Sequence, residues 1–223
     1  MNVINLKNKK LKKAFTLAEV LITLVIIGIV AAMTIPTLIN NSNKQEYVSK
    51  LKKTYSALAQ VTNQVVSEHG SPKNWVTSVD YVYGLYKSKL VNVKDCGGNS
   101  GCFNQSIKYL NGGHFGNSWN GASYHKKLIL NDGTQLLIGG GTSDFSSDCS
   151  VLSLGKTQNI CQVFYVDING EKNPNQWGRD IFGFVLTENG LFPDGIENSE
   201  DCIPTSTGLS CAAKVLRENA MNY

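Results

Sequence analysis

The sequence lacks the short motifs by which many enzyme active sites are recognised. It contains no HExxH zinc motif, no GxSxG nucleophile elbow, no Walker phosphate loop and no GxGxxG dinucleotide loop. Only three histidines are present, His69, His114 and His125, and no two of them stand four residues apart. We interpret each as a surface histidine. The sequence therefore predicts that the protein is not an enzyme.

Acidic residues are missing from the first 14 positions, where five lysines lie. These are five of the 21 basic side chains in the chain, so the remainder has 16 basic against 17 acidic side chains, a formal charge of −1. The basic excess thus marks the cytoplasmic flank of a membrane segment, as the positive-inside rule describes. It does not indicate general nucleic-acid binding.

Charge is also nearly absent from Phe15 to Ile35, where Glu19 is the one charged residue. A helix of these 21 residues would span about 31 Å, close to the ~30 Å hydrocarbon core of a bilayer. The simplest interpretation is a membrane anchor or a secretory signal. However, the run is longer than the apolar part of an ordinary signal, and it lacks a small-residue cleavage site at its far end. A carboxylate in lipid costs a few kcal/mol, so Glu19 indicates a function.

Residues 13–38 resemble the start of a type IV prepilin or a type II secretion pseudopilin. The resemblance rests on Lys-Lys-Ala, then Phe-Thr-Leu-Ala-Glu, then an unbroken apolar run. It implies that a prepilin peptidase cuts between Ala14 and Phe15 and methylates the new amino terminus. Ala14 departs from the family pattern, which usually has glycine there. The resemblance also implies that Glu19 pairs with the Phe15 amino terminus of a neighbouring subunit, and that Pro36 kinks the helix.

The fold expected from this resemblance is α+β and pilin-like. A long N-terminal helix with a transmembrane first half would pack on a small antiparallel β-sheet with disulfide-stapled loops. We expect a leader at 1–14, a transmembrane and assembly helix at 15–36, and an extracytoplasmic domain at 37–223 that includes the amphipathic half of the helix at about 40–68. The N-terminus would lie in the cytoplasm and the protein in the inner membrane, then in a filament on the cell surface or in the periplasm.

Periodicity in the remaining sequence predicts one helix and several strands. Apolar residues at steps of three and four predict an amphipathic helix that ends near Glu68, before Gly70 and Pro72. An Asp132-Gly133 step predicts a hairpin turn. Strands are expected at 128–130, 135–138, 161–168, 181–186 and 191–192, short helices at 75–86 and 212–219, and an irregular, disulfide-pinned insertion at 96–125.

Six cysteines follow residue 95, and no CxxC occurs among them. Sequential pairs are separated by 5, 11 and 8 residues, which indicates an oxidising compartment rather than a zinc site. Six cysteines allow 15 pairings. We expect the local ones because each pair lies in a segment rich in glycine, serine and asparagine. The proposed disulfides are Cys96–Cys102, Cys149–Cys161 and Cys202–Cys211.

The segment 166–180 (VDINGEKNPNQWGRD) has oxygen-bearing side chains at alternate positions. Asp167, Asn169, Glu171 and, further on, Asp180 are the side-chain types that bind Ca²⁺. The segment lacks the bidentate glutamate that closes a twelve-residue calcium loop, and Asp-Asn-Gly runs are common in plain turns. Calcium and a structured loop are both retained as interpretations, and no other cofactor is expected.

The function expected from these features is that of a structural subunit of a pilus or secretion pseudopilus, with size and cysteines favouring a minor one. Its partners would be a prepilin peptidase, other pilin or pseudopilin subunits, the cytoplasmic membrane and the assembly machinery. One alternative is a minor pilin that captures DNA, sugar or a surface, for which a local patch at Lys126 and Lys127 is the candidate. A second is an enzyme with an uncleaved anchor, which the missing motifs disfavour.

Overall fold

The structure, a computed structural model, describes residues 15–76, 78–103, 106–116, 125–139, 149, 152–154, 157–196 and 202–223. The chain divides into an N-terminal unit, residues 1–42, and a globular unit, residues 43–223. The elements in chain order are α1 (Leu17–His69), a 3-10 turn (Pro72–Asn74), α2 (Val79–Lys89), β1 (Asn92–Gly97), β2 (Ile107–Lys108), β3 (His114–Phe115), β4 (Lys126–Leu130), β5 (Gln135–Ile138), β6 (Leu152–Leu154), β7 (Thr157–Asp167), β8 (Ile181–Thr187), β9 (Gly190–Pro193), a second 3-10 turn (Leu209–Cys211) and α3 (Ala212–Glu218).

Helix α1 continues through Pro36 and the asparagine-rich stretch at 40–43. It ends at His69, where Gly70 takes a φ of +78°, a conformation that glycine adopts without strain. The backbone N–H of Gly70 still donates to Val66 O at 2.9 Å, which closes the last turn. The long helix predicted to end near Glu68 is therefore confirmed, while the kink at Pro36 stays a prediction.

The sheet of the globular unit is antiparallel, in the order β1-β4-β5-β7-β8-β9, and β6 pairs with the first part of β7. The strands predicted from alternation and turn residues correspond to β4, β5, β7, β8 and β9. The predicted turn joins β4 to β5, with Gly133 at a φ of +85° and Asp132 Oδ1 accepting the Thr134 N–H at 3.1 Å. The α+β architecture is confirmed.

Successive side chains of a strand point to opposite faces of the sheet, and both faces are covered by other parts of the globular unit. One face packs against the globular half of α1, where Tyr55 stacks on Phe184 with ring centroids 5.5 Å apart. The opposite face packs against Phe103, Ile107 and Trp177, which come from the loops and short strands around it. The α1 residues that are buried in the structure are Val48, Leu51, Thr54, Leu58, Val61, Thr62 and Val65.

Three disulfides join sequential cysteines of the globular unit: Cys96–Cys102, Cys149–Cys161 and Cys202–Cys211. The first closes a loop at the end of β1. The second ties the segment before β6 to β7, and the third holds the second 3-10 turn. All six cysteines are thereby paired.

Several sequence predictions differ from the structure. The helix expected at 75–86 begins later, at Val79, because the Ser78 side chain caps it by accepting the Tyr81 N–H at 3.0 Å. The insertion expected to be irregular contains the small β2–β3 hairpin, and β1 overlaps its start. Its residues 104–105 and 117–124 lie outside the described part of the chain. The surface assignment of His125 is wrong, since this residue, directly before β4, is only 2% exposed.

The first and last strands of the order β1-β4-β5-β7-β8-β9 carry features that oppose further strand pairing. Edge strand β1 has two register shifts against β4 and an outward lysine, Lys94. The other edge strand, β9, ends in Pro193, which has no N–H to donate. Bulges, lysine and proline are the usual means by which proteins prevent edge-to-edge sheet association.

Candidate functional site

The start of helix α1 is fixed by hydrogen bonds between Thr16 and Glu19. The Glu19 Oε2 atom accepts the Thr16 backbone N–H at 2.8 Å and the Thr16 hydroxyl at 2.8 Å. In return, the Glu19 backbone N–H donates to Thr16 Oγ1 at 3.2 Å. This reciprocal pattern is a capping box, with threonine as the N-cap and glutamate three residues on.

The residues on either side of this box complete the helix start. Phe15 precedes the N-cap and Val20 stands at the fourth helical position, the two places where apolar residues form a hydrophobic staple. Both side chains line one surface depression together with Glu19 and Thr23. Sequence reasoning missed the role of Thr16, although the Thr-x-x-Glu spacing is a readable signature of a helix start.

Beyond the cap, the N-terminal unit presents an almost wholly apolar helix surface. Fifteen of the twenty exposed large hydrophobic residues of the described chain lie between Phe15 and Ile39. The hydroxyls of Thr23 and Thr34 are satisfied within the helix, by Val20 O at 2.9 Å and Val30 O at 3.0 Å. The segment is long and apolar enough to cross a membrane, and none of that apolar window is buried.

Comparison with family models matches residues 9–35 to the prokaryotic N-terminal methylation motif. This motif is the hallmark of type IV prepilins and pseudopilins. The chain carries the N-terminal motif of that pilin family. The motif fits a membrane-anchored, pilin-like subunit, and it includes the capping box and the residues on both sides of the expected cut. No curated protein and no solved structure matches the chain.

The residues proposed for calcium lie in the loop between β7 and β8, where hydrogen bonds already engage the carboxylates. Asp167 Oδ1 accepts the backbone N–H groups two and three residues further on, at 3.2 and 3.0 Å. Asp180 accepts the backbone N–H groups of Asn175 at 2.8 Å and Gln176 at 2.6 Å. The Asn169 amide also donates to Asp180, at 3.0 Å. The two carboxylates thus shape the loop between them.

The structure does not bring a full calcium ligand set together. Glu171 is exposed, and among the described residues no group of three or more His, Cys, Asp or Glu side chains is placed to hold a metal. Burial raises the pKa of Asp180 to about 6. Burial, with the nearby Asp180 charge, raises the pKa of Asp167 well above its usual value. Calcium binding stays a prediction, and the hydrogen bonds favour the structured-loop interpretation.

The lysines proposed as a nucleic-acid patch do not form one. Lys126 makes an ion pair with Asp80 at 2.7 Å, and Lys127 is fully buried in β4. Burial lowers the pKa of Lys127, which opposes its use as an exposed cation. A phosphate backbone is bound by accessible cations, so this pair of residues offers little to a nucleic acid.

Proposed function

We propose that the protein is a minor pilin or pseudopilin that assembles with like subunits into a type IV pilus or a secretion pseudopilus. In this proposal, a prepilin peptidase removes residues 1–14 and methylates Phe15. Residues 15–36 hold the subunit in the cytoplasmic membrane and later form the core of the filament. Residues 37–223 lie outside the cytoplasm, in agreement with three disulfides.

The observation that carries the proposal is the hydrogen bonding of the Glu19 carboxylate, which engages only one of its two oxygens. Glu19 is the one charged side chain between Phe15 and Asn43. Both donors from Thr16 are directed to its Oε2 atom, and the described part of the chain supplies no hydrogen-bond donor for Oε1. The capping box therefore holds the carboxylate in place and leaves one oxygen available to another molecule.

A neighbouring subunit would supply the missing partner. An amino terminus created at Phe15 carries a positive charge four residues before Glu19, so a neighbour displaced by about 6 Å along the helix axis would bring the two charges to the same depth. Two such charges brought together in a low-dielectric filament core offset each other's desolvation. A simple membrane anchor could form the same capping box with an uncharged glutamine, so the charge of Glu19, which costs a few kcal/mol in lipid, is what calls for a partner.

Substituting Glu19 in the native host tests the proposal. Glu19→Gln is the sharpest variant, because glutamine at this position can still accept the Thr16 N–H in a capping box but carries no charge. We expect this variant to reach the membrane as well as the wild type and to lose filament assembly. Membrane fractionation and recovery of sheared filaments are the two measurements.

Thr16→Ser is the matched control, because serine keeps the N-cap hydroxyl and leaves the charge of Glu19 unchanged. It should assemble like the wild type. Normal assembly of Glu19→Gln would refute the pairing role of the carboxylate. Failure of Glu19→Gln to reach the membrane would place the effect of the substitution on export instead.

A subunit that captures DNA is the second candidate. The buried and ion-paired state of Lys127 and Lys126 removes the feature that favoured it. A salt-sensitive shift of DNA by the purified protein would revive this function, because phosphate contacts weaken as salt rises.

A further inference from the structure

Residues 219–223, which we call the strap, follow helix α3 and contact helix α1. Asn219 takes a φ of +55°, which turns the chain away from α3. The ammonium group of Lys44 donates hydrogen bonds to the main-chain oxygens of Met221 at 2.9 Å and Tyr223 at 3.1 Å. Hydrogen bonds from a charged donor are roughly twice as strong as neutral ones. This contact therefore joins the strap firmly to a residue that is 177 to 179 positions away in the sequence.

The strap is itself anchored to the globular unit at two points. Met221 is 4% exposed and belongs to the hydrophobic core. The Tyr223 hydroxyl donates to the carbonyl oxygen of Gly178 in the loop between β7 and β8. The Lys214 ammonium lies 6.0 Å from the centre of the Tyr223 ring, where a cation is attracted to the face of the ring. The strap thus gives Lys44 a fixed partner.

Lys44 stands where helix α1 first contacts this fixed base. Residues 32–43 are exposed, Lys44 is half-buried, and Val48 is the first α1 side chain that the structure buries. Between them, the Tyr47 hydroxyl accepts the Asn169 amide N–H at 3.3 Å. The turn of helix that precedes Val48 is therefore fixed mainly by polar contacts, of which those of Lys44 are the charged ones.

The sequence directly before Lys44 is a poor helix former. Residues 40–43 are Asn-Asn-Ser-Asn, and the side chains of asparagine and serine compete for backbone hydrogen bonds. Most helix stability in proteins comes from packing, and all four of these side chains are exposed. This stretch is therefore the part of α1 near the globular unit that opens at the lowest cost.

We infer that the strap is a latch that sets where helix α1 becomes rigid: the helix flexes at residues 40–43 and is fixed from Lys44 onward. Without the latch, the flexible stretch would extend towards Val48, the next residue that the globular unit holds by burial. The latch is a property of the single chain. Its use to an assembled subunit rests on the proposed function, in which a short flexible stretch would let the globular unit change its orientation without loosening its own fold.

Hydrogen exchange of the purified full chain in detergent, read by mass spectrometry, tests the latch. In an α-helix the amides of residues 48–51 donate to the carbonyls of residues 44–47, so these four amides report whether the turn that begins at Lys44 is fixed. In the wild type, the amides of residues 41–44 should exchange fast and those of residues 48–51 slowly.

Lys44→Met removes the ammonium group but keeps a long side chain of similar helix propensity. It should speed exchange of the amides of residues 48–51 on the order of tenfold. Lys52→Met is the matched control, because Lys52 is exposed on the same helix, and it should leave exchange of these amides unchanged.

Tyr223→Phe is the second variant, because it removes the hydroxyl that anchors the strap to Gly178. It should speed exchange of the same amides. Since both side chains act through the strap, the chain with both substitutions should exchange little faster than Lys44→Met alone. Two effects that multiply in full would show that Lys44 and Tyr223 act independently, and would overturn the latch.

Two other results would also overturn the latch: unchanged exchange at residues 48–51 in Lys44→Met, or slow exchange at residues 41–44 in the wild type. The measurement needs no filaments, so either result leaves the proposed function intact. The assembly of Glu19→Gln, in turn, bears on the proposed function and leaves the latch untouched.

Discussion

Replacing Asp194 by asparagine should stabilise the globular unit above neutral pH. Asp194 directly follows β9 and is 2% exposed. Its Cβ lies close to β8, where a Cβ added at Gly183 would be 3.3 Å away. Burial raises the pKa of the Asp194 carboxyl from 3.8 to about 7, and a hydrogen bond from the Gly195 backbone offsets only part of this increase.

The size and sign of the effect follow from this pKa. The folded protein binds the Asp194 proton more tightly than the unfolded chain does, so the associated stability is present at low pH. It is lost as the pH rises from about 4 to about 7. A shift of about three pKa units corresponds to about 4 kcal/mol, which is the upper limit of the gain in Asp194→Asn at pH 8. For a unit of this length, the melting temperature would rise by at most about 8–16 °C.

Melting curves of the full chain in detergent, recorded from pH 4 to pH 8, provide the assay. Tryptophan fluorescence reports on the region, because Trp177 is fully buried and its ring centroid lies 5.3 Å from that of Tyr165. The Tyr165 ring in turn lies beside the position where a Gly183 Cβ would meet Asp194. The two proteins should melt together at pH 4 and diverge as the pH rises.

Asp80→Asn is the control, since the Asp80 side chain is 75% exposed and pairs with Lys126 at the surface. Exposed ion pairs contribute at most about 1 kcal/mol, so this substitution should change the melting temperature little at any pH in the range. An Asp194→Asn variant no more stable than the wild type at pH 8 would show instead that the ionised Asp194 carboxylate has favourable partners in the folded protein.

Two further predictions concern processing and metal binding. Mass spectrometry of the protein from its native cell should find a chain that begins at Phe15 and carries a methylated amino terminus, and a native terminus at Met1 would contradict the processing. Treatment with EDTA should leave the melting temperature unchanged, because backbone N–H groups already occupy the Asp167 and Asp180 carboxylates; a decrease that disappears in Asp167→Ala would instead establish calcium binding at this loop.

The sequence was most informative where local chemistry determines the structure. The helix end at Gly70, the Asp132-Gly133 hairpin and the buried strands β7 and β8 were all predicted from residues near each other in the chain. Strand β1 was missed because its residues are polar and half exposed, and only pairing with β4 makes them a strand. The burial of His125 was missed for the same reason, since it depends on contacts distant in sequence.

The candidate site divides in the same way. Glu19 was found from the sequence because one carboxylate in a long apolar run is conspicuous. The capping role of its neighbour Thr16 was missed, although the Thr-x-x-Glu spacing alone indicates it. The sequence did not show that backbone N–H groups engage the Asp167 and Asp180 carboxylates, because oxygen-bearing residues at alternate positions suit both a metal ion and a turn. Only the positions of the backbone N–H groups around them favour the turn.

The capping box has a consequence for the timing of helix formation. Every group that starts helix α1, from Phe15 to Val20, lies after the expected cut between Ala14 and Phe15. Removing the leader would therefore take away five positive charges and create one new ammonium while the signal that begins the helix remains. Precursor and mature subunit would share one helix start. Proteolysis would therefore change the charge at the N-terminus without changing where helix α1 begins.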